Sequence, residues 1–557
     1  MRSLPWFVAV VALTSACSKS PAPAAGTAER PKRHEDLVSL FNDWRAFQRP
    51  AMNNGVPDYS AAAMTAQHEG LSAYIRRLAA LDTTGWTIPQ QVDYHIVRAE
   101  MNGLDFDQRV LRPWQNNPAY YVTFFTDESD QPAREGPNIA GAIELWSYKQ
   151  PLSAGDAARV DSGLKAIPGL LQQAQTNLTG NQKDLWKWGT NSVKGQSAEL
   201  ARFSASLTPE QSSLKASADA AKSATDAFVT WLDAQAASKT GPSGIGKDNY
   251  NWYLRNVQLL PYTWQDEVTL FERELARAYA YLALEEVRNR GLPAQTVVAS
   301  QAEHARRFNE AVTEYIAFLK AHGVIGVADY MDARVRERIG RYSDGRREFF
   351  TEVDYRDPEV MRTHGFHWFD KGAMAAGYNN PIRNGALLYN IFNARTEGLA
   401  TGWEEMMMGA GMFDRKPRSR ELILILLAER AARAMGDLRM HANDWTIDQA
   451  AKFASENTPR GWLAIDGNLV WGEQHLYLQQ PAYGGSYVIG KIEVEKTMQA
   501  LMRKQGDQFN VGTFMDELTA AGQIPISLIR WQMTGELSDD LKAMLGADLR
   551  PATASAH

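Results

Sequence analysis

Arg420-Glu-Leu-Ile-Leu-Ile-Leu-Leu-Ala-Glu-Arg430-Ala-Ala-Arg433-Ala-Met-Gly-Asp437-Leu-Arg-Met-His441 reads as one long helix, and that reading decides the fold. Its apolar run, Leu422 to Ala428, is bounded by Arg420 and Glu421 on one side and by Glu429 and Arg430 on the other. The run is too short to cross a bilayer, so it belongs to a buried helix. Further along, Arg430, Arg433, Asp437 and His441 stand at i, i+3, i+7 and i+11. At about 100° per residue they fall within one narrow stripe. Four polar residues aligned on a helix that begins in Leu and Ile point to an internal cleft. The alternative is a solvated face with an i, i+4 pair between Arg433 and Asp437.

Outward from this helix, most of the chain carries the same period. His34 to Gln48 puts Leu37, Leu40, Phe41, Trp44 and Phe47 on one stripe, and Glu69 to Leu81 does the same with Leu71, Tyr74, Ile75 and Leu78. Trp264 to Asn289 and Val298 to His322 read as long amphipathic helices, the second ending against Gly323. There is no βαβ alternation, no glycine-rich phosphate loop and no internal repeat. The fold class expected is therefore mainly α, a large multi-helix body with at most a small β element. That element is expected in Tyr342 to Tyr355, where Thr351, Val353 and Tyr355 alternate with charged neighbours. Residues 239–250 read as a loop that divides an N-terminal helical half from a C-terminal one, a seam within a single domain spanning 34–545.

The single cysteine, Cys17, follows Arg2, the apolar run Phe7 to Leu13 and the small residues Thr14, Ser15 and Ala16. This is the layout of a bacterial lipoprotein leader (1–17) with Cys17 as the lipidation site. Residues 18–33, rich in Pro and Ala, then read as a flexible tether, and 546–557 as a disordered tail. The expected location is the cell envelope, with the chain lipid-anchored and facing the periplasm; Ser18 after the cysteine resembles the pattern of lipoproteins sent to the outer membrane. The anchor would be the chain's sole membrane contact. A net charge of −6 without a basic run argues against a nucleic-acid partner.

Residues 361–405 hold the densest polar clustering: His364, His367, Asp370, Arg395, Glu397, Glu404 and Glu405. On a helix His364 and His367 share a face, with Asp370 beside His367, while Glu397 and Glu404 stack on another. Two imidazoles with carboxylates from a neighbouring helix make a plausible divalent-metal set, zinc among the candidates. A bare His-x-x-His serves equally as a helix cap or a backbone partner. A third group, Glu473-x-His475-x-Tyr477 followed by Pro481-Ala-Tyr-Gly-Gly-Ser-Tyr487-Val-Ile-Gly490, suggests a turn presenting the Tyr487 hydroxyl to an oxyanion. The plain alternative is a packed ring with its hydroxyl on a carbonyl.

Taken in order, these segments resemble a bacterial family known as domain of unknown function 885, whose members are often lipoproteins and which is grouped with gluzincin-type zinc peptidases. The resemblance covers roughly 35–545. It is carried by Val92-Asp-Tyr-His-Ile-Val-Arg-Ala-Glu100, Ile245-Gly-Lys-Asp-Asn-Tyr250, Glu397-Gly-Leu-Ala400 with Glu404, the Arg430 to His441 run with Trp445-Thr446, the Pro481 to Gly490 segment, and Phe509 and Pro525. It implies a gluzincin-like helical scaffold with a deep central cleft and Glu397 as third metal ligand.

The family's His-Glu-x-x-Pro-Gly-His string is missing from this chain. Aligned on His364, Gly365 stands in the slot of the water-activating Glu and Asp370 in that of the second ligand. Aligned on His367, Trp368 and Ala373 take those slots. The expectations are therefore an enzyme acting on a peptide, peptide-like amide or other small-molecule substrate with altered metal chemistry, or an inactive relative that binds a peptide or small anionic ligand. In the first, His364, His367, Asp370 and Glu397 hold the metal (zinc), Arg430, Arg433 and Asp437 bind substrate, and Tyr487, His441 and Glu404 handle charge and protons.

Overall fold

The computed structural model describes residues 32–131, 139–390 and 393–546; the leader with Cys17, nearly all of the tether and nearly all of the tail lie outside the described residues. The protein is mainly α, with two small two-stranded sheets among the described residues. No helix among them is long and apolar enough to cross a membrane.

The expected long helices form: His34–Phe47, Ala61–Ala79, Trp264–Arg288 and Gln301–His322. Ser300 caps the last by accepting the Glu303 N–H, and Gly323 ends it in the left-handed region at φ 58. Residues 239–246 are non-helical, and a short helix, Lys247–Tyr253, follows. One apolar core crosses this seam and another lies wholly before it. The largest apolar cluster joins Leu37 to Leu104 with Leu259 to Leu545, while the helices Ala154–Asn177, Lys183–Ser206 and Ser212–Gln235 close over a second core of their own around Trp186 and Phe228.

The β element is not where the sequence suggested. Phe349–Arg356 is a helix: Phe349 and Val353, four apart, share its buried face, so the short alternation at 351–355 was one side of a helical turn. The strands instead pair Met52–Asn53 with Val56–Pro57 across Asn54 and Gly55, both at positive φ, and Phe124–Phe125 with Ile143–Glu144.

Pro417–His441 is buried on nearly every side and forms the centre of the molecule, as its apolar run requires. Beside it, Asn393–Gly409 and Tyr483–Gln505 pack against each other through glycines. A Cβ on Gly490 would land on the Ala394 carbonyl, and one on Gly398 would land on the Gly490 backbone. The two backbones therefore approach as closely as they can, which brings Glu397 on one helix to Tyr483 on the other. Gly490→Ala is expected to force the helices apart and cost about 3 kcal/mol of stability, measured as a lower urea midpoint with an unchanged m-value.

The Gly484-Gly485 pair is not a turn either. Both lie in the first turn of the Tyr483–Gln505 helix, which opens directly after Ala482 at φ 68. The Asp437 carboxylate accepts the N–H groups of Ala482 (3.4 Å) and Gly485 (3.1 Å), closing that helix's N-terminus from outside.

Candidate metal centre

Chain breaks and crossings bring three ligands together. Pro358–His364 ends at Gly365, which also opens Phe366–Ala376. The bend sets the two imidazoles nearly perpendicular, ring centroids 4.9 Å apart. His364 Nε2 and His367 Nε2 are 3.4 Å apart, and Glu397 Oε2 lies 3.2 Å from His367 Nε2 and 3.6 Å from His364 Nε2. Four ligands bound at about 2.0–2.1 Å around a tetrahedral zinc stand roughly 3.3–3.4 Å apart, so these three atoms have the spacing of one face of such a site. Glu397 Oε2 is buried, with the two imidazoles as its ion-pair partners. A buried carboxylate oxygen set between two imidazole nitrogens is a place that a bound cation would fit. His367 and Glu397 are almost fully enclosed, and His364, at 15% exposure, is the ligand on the open side.

The ligands are themselves held. His364 Nδ1 is 3.0 Å from Glu404 Oε1, and Arg430 grips both Glu404 oxygens at 2.5 and 2.8 Å. Arg430 Nη2 also lies 3.1 Å from Nδ1, and the tautomer with its proton on Nδ1, shared with Glu404, is the one that leaves Nε2 free to bind a metal. On the other side, Glu397 Oε1 accepts from the Tyr483 hydroxyl at 2.7 Å and from Gln131 Nε2 at 2.8 Å. Gln131 is fixed in turn by the Thr396 hydroxyl. Lys371 ties down the same segment through the Ser129 carbonyl (2.6 Å) and Glu128 (2.8 Å).

The electrostatics follow from this packing. Burial opposes charge on His367, but the carboxylates of Asp130 and Glu397 outweigh it and raise the imidazole to about 9. Burial likewise opposes charge on Glu397, and the His367 ring overcomes it, holding the carboxyl down at about 2. His364 is lowered by burial and by the neighbouring Arg430 guanidinium, and so stays a neutral donor.

Neither alignment register survives intact, because both histidines join Glu397, three positions apart across a helix break. Asp370 is corrected: Arg395 holds it by both oxygens at 2.9 and 3.0 Å, outside the group of three. Arg430 and Arg433 are paired, the first with Glu404 and the second with Glu429 (2.9 Å) and Glu473 (2.5 Å), and both are shut away from solvent, out of reach of a substrate carboxylate. Asp437 caps a helix. His441, eleven residues past Arg430, lies about 16 Å further along the helix axis. Its Nε2 donates to the Tyr477 carbonyl at 3.0 Å, and burial holds its ring down at about 4. It therefore does not reach the three ligands. Glu404 orients His364. Tyr487 packs under Arg433, 5.1 Å from ring centre to guanidinium carbon, and the tyrosine on Glu397 is Tyr483.

Sequence reasoning missed Tyr483, Gln131 and Asp130. Tyr483 sat four residues before Tyr487 in a segment already singled out. Gln131, 266 residues from Glu397, gave no signal at all. Tyr483→Phe is expected to weaken zinc binding about 10-fold without unfolding the protein, read by competition with a chelating dye.

Fold and site together define a large helical protein with a two-histidine, one-glutamate candidate metal centre. The chain belongs to the family described as bacterial protein of unknown function (DUF885), whose model matches residues 45–390 and 386–533. Two solved structures share its fold at 15% identity. One is described as "a putative lipoprotein of unknown function from Shewanella oneidensis", with TM-score 0.63 over 90% of this chain and 97% of that one. The other, "the putative lipoprotein from Colwellia psychrerythraea", has TM-score 0.65 over 90% and 99%. No curated protein matches.

Proposed function

We propose that this chain is a zinc-dependent hydrolase of the cell envelope, acting on peptides or peptide-like amides and anchored through Cys17. The carrying observation is the spacing of His364, His367 and Glu397, with a buried carboxylate oxygen set between the rings. Zinc bound there would polarise a carbonyl and acidify a water. Glu404 and Arg430 fix His364, and Tyr483 and Gln131 fix Glu397, so the donor set is rigid before substrate arrives.

In either register the slot of the family's water-activating Glu holds an inert residue, Gly365 or Trp368, so the proton must go elsewhere. We assign it to Asp130. Its Oδ1 accepts from Gln131 Nε2 at 3.2 Å, the same nitrogen that donates to Glu397. Asp130 is also the leading source of the positive shift on His367. Lipidation at Cys17 agrees with the descriptions of both structural neighbours, and the outer membrane is the leaflet the Ser18 pattern favours.

The test uses zinc-loaded protein against a quenched-fluorescence peptide library. Turnover that falls about 10²–10⁴-fold in Asp130→Asn, with zinc content unchanged, supports hydrolysis with Asp130 as base. Stoichiometric zinc with peptide binding and no turnover would replace the hydrolase by a binding protein, the reading that the missing His-Glu-x-x-Pro-Gly-His string favours.

A further inference from the structure

A second cavity, of about 400 Å³, opens beside the N-terminal helices and shares no residue with the metal centre. Its volume is in the range of small-molecule sites. Asp107 lines it, at the point where the Ile88–Phe106 helix loosens into a π-helical turn, Asp107–Leu111, before Arg112 ends it in the left-handed region at φ 40. Such widened turns recur at functional sites because they re-aim a side chain that a regular helix would point elsewhere.

Most polar groups around Asp107 are already paired, the buried Trp114 indole N–H being an exception. Gln108 Nε2 donates to Gln67 Oε1 (2.5 Å), Gln67 Nε2 to the Gln48 carbonyl (2.8 Å) and the Tyr389 hydroxyl to Gln48 Oε1 (3.1 Å). Arg45 donates to the Ala386 carbonyl (3.1 Å) and faces Glu100 at 3.8 Å. The Asp107 carboxylate has no hydrogen-bond or ion-pair partner among the described residues, and burial alone pushes it up to about 7. Asp107 is only partly exposed, and an ionised carboxylate there without a counter-charge is disfavoured. A guest that brings a positive charge removes that cost, and aromatic rings beside it add attraction for a cation.

We propose that this cavity is a second ligand site, taking a small organic ammonium ion with its charged end on Asp107 and its apolar body among Trp114, Tyr120, Met64 and Leu104. The aromatic and aliphatic lining beside Asp107 sets the class, an amine carrying a ring or short chain, and because Arg45 and Arg49 line the same cavity an anionic probe is the necessary counterpart. The site is independent of the hydrolase reading, since none of its residues touches the three metal ligands.

The experiment measures thermal shift and calorimetric binding of the full chain with phenethylamine, tyramine and choline as ammonium probes, and with 2-phenylethanol and phenylacetate as neutral and anionic counterparts. At least one ammonium probe is expected to bind and raise the melting temperature, and the neutral and anionic counterparts to have no effect. Asp107→Asn is expected to weaken the bound probe about 10- to 100-fold while leaving the unliganded melting temperature equal or higher, because it removes an uncompensated charge. Arg49, at the mouth, supplies the control. Arg49→Gln should leave the unliganded protein unchanged. Destabilisation by either substitution would show that Asp107 already has a partner and would overturn the proposal. So would failure of all three ammonium probes, or equal binding of the three phenethyl compounds.

Discussion

The purified full chain is expected to carry one zinc ion per molecule, and Glu397→Ala to lose it while remaining folded. The wild-type site offers two imidazoles and one carboxylate whose ligand atoms already stand 3.2–3.6 Å apart, so little reorganisation opposes binding. Without Glu397 only the imidazole pair remains, and the Tyr483 hydroxyl and Gln131 amide lose their acceptor. The loss should therefore exceed the roughly 10–100-fold that follows from disturbing a ligand's partner. Glu397→Gln keeps the shape and one oxygen, so it isolates the contribution of the negative charge. Elemental analysis after exhaustive dialysis gives the stoichiometry. Melting curves with and without added zinc give the linkage, about 2.7 kcal/mol of stabilisation when free zinc is 100 times its dissociation constant. Equal metal content in wild type and Glu397→Ala would sink the assignment.

Arg430→Met is expected to be the most destabilising single change in the site, at about 3–5 kcal/mol. It strands the Glu404 carboxylate, fully buried, with a neutral imidazole as its remaining partner. Replacing both members, Arg430→Met with Glu404→Leu, should restore most of the loss, since a buried ion pair is worth little more than apolar side chains of similar volume. Zinc affinity should stay low in the double variant, because His364 Nδ1 has lost the oxygen that orients it. Urea unfolding reads the first effect and zinc titration the second. If the double variant is as unstable as the single one, stranded charge is not the cause and repacking of the central helix is.

Much of the architecture was readable in one dimension. Leu422 to Ala428 announced a buried helix, and Ser300 and Gly323 marked the ends of another. The errors had local causes. Three alternating residues at 351–355 fit a strand and a helical turn equally well, and only the burial of Phe349 with Val353 separates them. Asn54-Gly55, an ordinary hairpin signal, sat unread in a stretch with too few flanking apolar residues to attract attention. The double glycine before Tyr487 read as a turn, whereas its use is to let the Tyr477 ring and Asp437 come close to the start of a helix.

For the site, the sequence supplied the right residues without their jobs. His364, His367 and Glu397 were all named, but Asp370 was placed with them, and the polar stripe from Arg430 to His441 was given to substrate. In the structure that stripe serves several masters: Arg430 and Arg433 neutralise buried carboxylates, Asp437 caps a helix and His441 bonds a carbonyl. Spacing on a helix tells which residues face the same way, and it says nothing about what stands opposite them.

The chain by itself determined the helical class and the burial of Leu422 to Ala428 within Pro417–His441, because both depend on the period of apolar residues over a few turns. Which imidazoles meet which carboxylate was decided only in three dimensions. That choice rests on a bend at Gly365, on the close crossing of two helices at Gly398 and Gly490, and on a glutamine and a tyrosine arriving from distant parts of the sequence. A metal site is specified to a few tenths of an ångström, and placement that fine comes from packing between remote segments, which no local pattern encodes.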